Sequence, residues 1–213
     1  MAATLFYFHD PMCSWCWGYQ TTWRQLLENL PDKVNLTYIL GGLAADDDTP
    51  MSEDMQLAIQ GYWRKIQAEL GAEFNFDFWQ KCRPRRSTYP ACRAVIAASK
   101  QTVGQKTGQE LSLDMILAIQ TAYYLRAMNP SNIDTLCTLA EEMGLDREIF
   151  RRDLQSDQTE KNLQEQIAYS RSVGVSSFPS LLLDYQYKQY RLTVDYRRAD
   201  TTLEQIKDIL LHV

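Results

Sequence analysis

The sequence predicts an α/β fold in which a small sheet is assembled in two instalments around a long run of helices. Three observations predict it. Residues 4–8 and 33–40 read as strands on either side of one helix. Residues 51–172 carry helical periodicities separated by turn signals. After Gly174 the pattern returns to strands and closes on a last helical stripe. The expected division is a discontinuous sheet domain, 1–48 with 174–213, and an all-helical insertion domain, 49–173.

Taken in order, Thr4-Leu5-Phe6-Tyr7-Phe8 is an aromatic-rich apolar run, the composition of a buried strand. Tyr19, Trp23, Leu26, Leu27 and Leu30 recur at spacings of three and four, one apolar face of a helix. Pro31-Asp32 closes that helix, and Val34, Leu36, Tyr38 and Leu40 alternate as a second strand ended by Gly41-Gly42. Asp46-Asp47-Asp48-Thr49-Pro50 is a solvated loop. Met55 to Leu70 forms a helical stripe stopped by Gly71. Glu73 to Trp79 alternates aromatic and polar residues, a pattern shared by a short strand and an aromatic loop. Helices are expected from Pro90 through Ala98, Leu113 to Leu125, Ile133 to Met143, a short one capped by Asp146, and Glu160 to Val173. Leu181-Leu182-Leu183 is a buried strand, paired with Lys188 to Val194 through an Asp184-Tyr185-Gln186 turn. Asp200 or Thr201 caps a final helix with Leu203, Ile206, Ile209 and Leu210 on one face.

The chemistry-bearing stretch is Cys13-Ser14-Trp15-Cys16, placed where the first strand turns into the first helix. A C-x-x-C at a helix start is the arrangement of a redox dithiol. Disulfide exchange needs a thiolate, and the unpaired N–H groups of a helix N-terminus stabilise negative charge. Cys13 is therefore the expected nucleophile, exposed and easily ionised, and Cys16, nearly one turn on, the resolving thiol. Half of a zinc site is the competing reading, but it needs two more ligands. Cys82, Cys92, Cys137, His9 and His212 form no second C-x-x-C and no H-x-x-x-H, so no metal is expected. Cys82, Cys92 and Cys137 read as structural thiols.

Composition narrows the class. The 213 residues are 45% apolar, enough for a substantial core, and five cysteines are too few for a disulfide scaffold. A net charge of −5 gives no reason to expect nucleic-acid or membrane partners. Lys81, Arg83, Arg85, Arg86 and Arg93 make a local basic cluster, a solvated face or, beside the dithiol, a feature favouring acidic substrates or glutathione. Met1 leads directly into the first strand without a basic n-region or a long apolar h-region, so a cytoplasmic protein is expected.

Strand–helix–strand, inserted helices and strand–strand–helix is the order of a thioredoxin fold with an insertion. The chain resembles the DsbA family of thioredoxin-like proteins, and most of all its FrnE-like branch. The resemblance is carried by Asp10-Pro11-Met12-Cys13-Ser14-Trp15-Cys16-Trp17-Gly18, by Ser87 to Ala98, and by Gly174-Val175-Ser176-Ser177-Phe178-Pro179-Ser180. It implies a thiol–disulfide oxidoreductase acting on protein or small-molecule disulfides, with no bound cofactor and with a partner dithiol or glutathione as reductant. It also implies that Pro179 is cis and faces the dithiol, leaving the backbone of Phe178 free to pair with an extended substrate. The residues alone favour a trans proline that merely opens an edge strand.

Ser14, Trp15, Phe178 and Pro179 are the candidate substrate-binding residues. Phe178 is bulkier than the residues common before this proline. Trp17 and Trp23 are expected in the core. His9 and Asp10 are candidates for tuning the thiol pKa, His9 by charge or proton shuttling and Asp10 by raising it or acting as a base, against an ordinary turn role for each. The histidine of the strongly oxidising C-P-H-C dithiols is missing, so a less oxidising couple is expected. Two other classes share the fold. Glutathione-binding isomerases and transferases of the 2-hydroxychromene-2-carboxylate isomerase and kappa-class type carry serine where this chain has Cys13, and one DsbA-like branch is a non-enzymatic protease adaptor. A monomer is expected.

Overall fold

In the computed structural model, which describes residues 3–212, four strands form one sheet in the order β2-β1-β3-β4. β1 (Ala3–His9) pairs parallel with β2 (Val34–Leu40) and antiparallel with β3 (Ser180–Tyr185), which pairs antiparallel with β4 (Lys188–Leu192). The parallel pair needs a crossover, supplied by α1 (Ser14–Glu28). Leu5 and Tyr7 of β1 and Leu181 and Leu183 of β3 point to one face, where Tyr19, Trp23 and Leu26 of α1 and Leu203 and Ile206 of α9 (Ala199–His212) cover them. Phe8 and Leu182 point to the other face and pack with Ile39, Val175 and Tyr169. Period-two alternation thus sorts each strand between two cores.

Between β2 and β3 come α2 (Glu53–Leu70), α3 (Phe78–Lys81), α4 (Tyr89–Ala98), α5 (Gly108–Tyr124), α6 (Ile133–Glu142), α7 (Arg147–Leu154) and α8 (Asp157–Ser172). They enclose the largest core, built around α4, whose Ala91, Cys92, Ala94, Ala97 and Ala98 are fully buried. Small side chains let neighbouring helices approach it closely. At one end Trp63 is wrapped by Phe74, Phe76, Phe78, Trp79, Tyr123 and Tyr124 at ring separations of 5.0–5.9 Å.

Several boundaries differ from the sequence reading, each for a local reason. α5 starts five residues before Leu113, because Thr107 and Glu110 form a reciprocal capping box. α8 starts at Asp157, capped by the Ser156 hydroxyl. Residues 73–77 are loop leading into α3, which takes in Phe78 and Trp79. In the hairpin, β3 runs through Tyr185, and the turn is Gln186-Tyr187 with φ of 51° and 63°. β4 ends at Leu192 because the Thr193 N–H is taken by the Gln205 side chain at 2.8 Å. Asp200 and Thr201 lie inside α9; Asp195 instead accepts from the Arg197 and Arg198 N–H groups and from the Thr201 hydroxyl. Among the described residues no helix is long and apolar enough to cross a membrane.

Candidate active site

β1 ends at His9, and residues 10–13 turn the chain into α1. The Cys13 N–H donates to the Asp10 carbonyl at 3.0 Å, closing the turn. Cys13 is the N-cap residue, with extended backbone (φ −78°, ψ 114°), and its carbonyl accepts from Trp17 N–H at 3.1 Å. Its sulfur therefore stands at the positive end of a fifteen-residue helix. Cys16 follows in the first turn, and both residues are free thiols.

The antiparallel register that sets Phe8 opposite Ser180 brings the 177–179 loop over the 10–13 turn. The Phe178–Pro179 peptide bond is cis, and Cys13 Sγ donates to the Phe178 carbonyl at 3.3 Å. That contact corrects one expectation: Cys13 is not exposed but 5% accessible, because the loop closes over it. Cys16 is 2% accessible, and burial, reinforced by the neighbouring Cys13 sulfur, holds its thiol well above the ordinary pKa.

Asp10 organises the turn. Its fully buried carboxylate accepts from Met12 N–H (2.8 Å), Leu43 N–H (2.7 Å), the Thr88 hydroxyl (2.7 Å) and the Cys92 thiol (3.5 Å). One side chain thus ties the dithiol turn to the segment after β2 and to the N-terminus of α4. Burial raises its pKa against the lowering effect of those four donors. His9 is the last residue of β1 rather than a turn residue, and it lies on the opposite side. Its ring stacks on Tyr7 at 5.3 Å, edges toward Tyr38 at 5.7 Å, and Nε2 has no partner. Burial lowers its pKa to about 3, so at neutral pH it brings no positive charge to the thiols.

Ser14 opens α1, partly exposed. Trp15 rests on Tyr196 at 5.0 Å with the Lys65 ammonium 5.7 Å above its ring, so the intervening dipeptide faces an aromatic and cationic wall. Phe178 offers the dithiol its carbonyl, while its half-buried ring packs with Phe8, Ile39 and Val175. Trp23 is core, stacked on Tyr7 at 4.2 Å. Trp17 is only partly buried; it stacks on Tyr124 and donates Nε1–H to the Glu73 carbonyl, bridging α1 to the insertion.

Cys137 is buried in α6, and Cys82 donates to the Ala127 carbonyl at 3.2 Å. The basic cluster is largely neutralised: Lys81 pairs with Asp77, Arg85 with Asp48, and Arg93 with Asp46 and Glu160. Sequence reasoning missed Thr88, Leu43, Tyr196 and Gly41. A signal for the last was present in the Gly41-Gly42 pair. A Cβ at Gly41 would run into the Phe178 ring, and Gly42 has φ 60° with Tyr89 and Ile167 against it.

Comparison with known proteins agrees with this architecture. The thioredoxin family model matches residues 6–197. The ClpXP adapter protein SpxH of Bacillus subtilis is 26% identical over 179 residues, 83% of this chain but 56% of that protein, so the chain spans little more than half the length of this curated relative. A candidate protein disulfide isomerase from Nitrosomonas europaea superimposes with a TM-score of 0.82 at 24% identity, covering 100% of both chains. The cytosolic disulfide reductase DsbM of Pseudomonas aeruginosa superimposes with a TM-score of 0.76 at 19% identity over 98% of this chain and 99% of that one. The same reductase solved with GSH gives 0.73 at 19% identity, over 98% of this chain and 100% of that one. With a family match over most of its length, the chain belongs to the thioredoxin family, and it shares the fold of these neighbours.

Proposed function

We propose that the protein is a thiol–disulfide oxidoreductase of protein or small-molecule disulfides, with Cys13 as nucleophile and Cys16 as resolving thiol. The observation that carries this reading is the placement of Cys13 Sγ at the N-cap of α1, 3.3 Å from the Phe178 carbonyl, with Cys16 in the first turn of that helix. In the reducing direction the Cys13 thiolate attacks one sulfur of a substrate disulfide; that S–S bond breaks and the other sulfur leaves as a thiolate. Cys16, having lost its proton, then attacks Cys13, forming the Cys13–Cys16 disulfide and releasing the second substrate thiol. Because burial keeps Cys16 protonated, a base must take its proton at this step. Asp10, whose charge bears on Cys16 and whose own pKa is raised, is the candidate for it, acting through water because its carboxylate oxygens are engaged by Met12, Leu43, Thr88 and Cys92.

Substrate specificity in this reading comes from the Phe178 carbonyl, which an extended peptide N–H can take over from Cys13, and from the Trp15 and Tyr196 wall. Glutathione as reductant or co-substrate is supported by the DsbM structure with GSH. The name of that neighbour also supports a cytosolic site of action. The FrnE-like assignment, a monomeric state, and the division into a sheet unit (1–48 and 174–213) and a helical unit (49–173) belong to the same proposal.

Equilibration in glutathione buffers of graded poise, followed by thiol trapping, tests it. The expected result is a reversible Cys13–Cys16 couple, lost in Cys13→Ser. Its potential should lie nearer thioredoxin at about −270 mV than DsbA at about −120 mV, since neither Trp15 nor the neutral His9 supplies positive charge. No disulfide at any poise would overturn the oxidoreductase reading. The name of the SpxH relative favours a second reading, a protease adaptor. Under that reading delivery of the client survives loss of both cysteines; under the first, activity does not.

A further inference from the structure

A cavity with Cys16 in its wall lies between α1 and α5. α1 presents Cys16, Gln20, Trp23, Arg24 and Leu27 to it, at the three- and four-residue spacing of one helix face. α5 presents Leu113, Ile116, Leu117 and Gln120 from across the gap. α5 packs on α4 and α6, and α1 on α2 and α9, so the two facing helices are left apart, bridged by the Gln20 and Gln120 amides at 3.4 Å. Tyr7, His9 and Tyr38 at the ends of β1 and β2 form the floor. The cleft between them has a volume of about 230 Å3.

Its chemistry is selective. The walls are three aromatic rings and four aliphatic side chains, and the aliphatic wall reaches solvent at Leu117, which is 48% exposed. Among the described residues no acidic side chain lines it. Arg24 stands exposed at the rim and, among the described residues, has no carboxylate partner. On the floor, the imidazole of His9 is 98% buried, and among the described residues Nε2 has no partner. An apolar cleft with a few polar groups at the junction of two structural units is the usual form of a small-molecule site. A cavity of roughly 150 Å3 holds benzene, so this one has room for two fused rings.

We propose that the cleft between α1 and α5 binds a small planar aromatic carboxylate, with its rings between Trp23, Tyr38 and Leu113 and its carboxylate on Arg24. The site is distinct from the Phe178 side of the dithiol, yet Cys16 forms part of its wall, so an occupant lies against the resolving thiol without competing for the substrate loop.

Calorimetric titration of the full chain with indole-2-carboxylate, and in parallel with neutral indole, tests it. Saturable binding of both probes is expected, the carboxylate tighter. Leu117→Trp, at the exposed mouth, should abolish both. Arg24→Gln should weaken the carboxylate about tenfold, the loss of one charge-assisted hydrogen bond, and leave indole unchanged. Leu113→Trp serves as a second plug should the first variant lose its circular dichroism spectrum. Absence of saturable binding at millimolar probe, or equal affinity in a folded plugged variant, overturns the site. Equal carboxylate affinity in Arg24→Gln overturns the anionic ligand class.

Discussion

His9 and Asp10 are adjacent, buried to 2% and 0% accessibility, and leave the end of β1 in opposite directions. Asp10 turns toward α4 and collects four donors from three segments; His9 turns toward α5 and leaves Nε2 without a partner. Burial shifts both toward their neutral forms, raising one pKa and lowering the other. The difference teaches what each group is for. A carboxylate that satisfies two backbone N–H groups is a fastener, and its removal strands the donors it served. A neutral imidazole with an open nitrogen fastens little.

The largest expected effect separates the two directly. Asp10→Ala leaves the Met12 and Leu43 N–H groups without an acceptor and the Thr88 hydroxyl with only its longer bond to the Ala44 carbonyl at 3.3 Å, a loss of about 4 kcal/mol in urea unfolding. A loss under about 1 kcal/mol would mean that water replaces the carboxylate and that the fastening role is wrong.

Next comes pH. The unfolded His9 takes up a proton near pH 6.5, whereas the folded one does so only at about 3. Between those values the unfolded state binds more protons, so stability from this residue falls as pH falls, by about 1.4 kcal/mol per unit. The raised pKa of Asp10 works with the opposite sign, since its penalty is relieved as pH drops through its folded value. His9→Gln should therefore flatten the acid limb of a stability profile from pH 6.5 to 4.5. An unchanged limb would assign the acid sensitivity elsewhere.

Gly41 sharpens the comparison at the strand end itself, since its N–H donates to the His9 carbonyl at 2.7 Å. Gly41→Ala should push the Phe178 ring aside and carry its carbonyl off Cys13, lowering kcat/KM about tenfold in a disulfide-reduction assay, a change of about 1.4 kcal/mol. Full activity would show that the carbonyl position is not needed. The smallest effect is the surface reference: Arg126→Ala breaks a two-bond pair with Glu142 and should change stability by no more than about 1 kcal/mol. A larger loss would remove the contrast between buried and exposed carboxylates.

Much of this was legible in the sequence. The strand–turn–helix around Cys13 and Cys16, the helical run and the closing hairpin all follow from periodicity and breakers, which are local signals. What was not legible depends on residues far apart in the chain. Thr88 and Cys92 reach Asp10 across 78 and 82 positions, and the Phe178 carbonyl reaches Cys13 across 165. The covered state of Cys13 and the direction in which His9 faces are likewise set by which elements pack on the end of β1. Cap chemistry was readable but outweighed by apolar spacing, as at Thr107 and Glu110, where the first turn of α5 holds a single buried apolar residue, Leu111.

The pairing of β1 with β3 joins Thr4 to Asp184. During synthesis both thiols leave the ribosome with the first strand and helix, while the loop that will cover Cys13 has yet to be translated. At roughly 5–20 residues per second that interval lasts on the order of ten seconds or more. The nascent chain therefore carries an uncovered dithiol on an unfinished sheet, open to oxidation or mixed-disulfide formation by any thiol nearby. Chains arrested before Ser180 should react with a thiol-modifying reagent at Cys13 much faster than released, folded chains do.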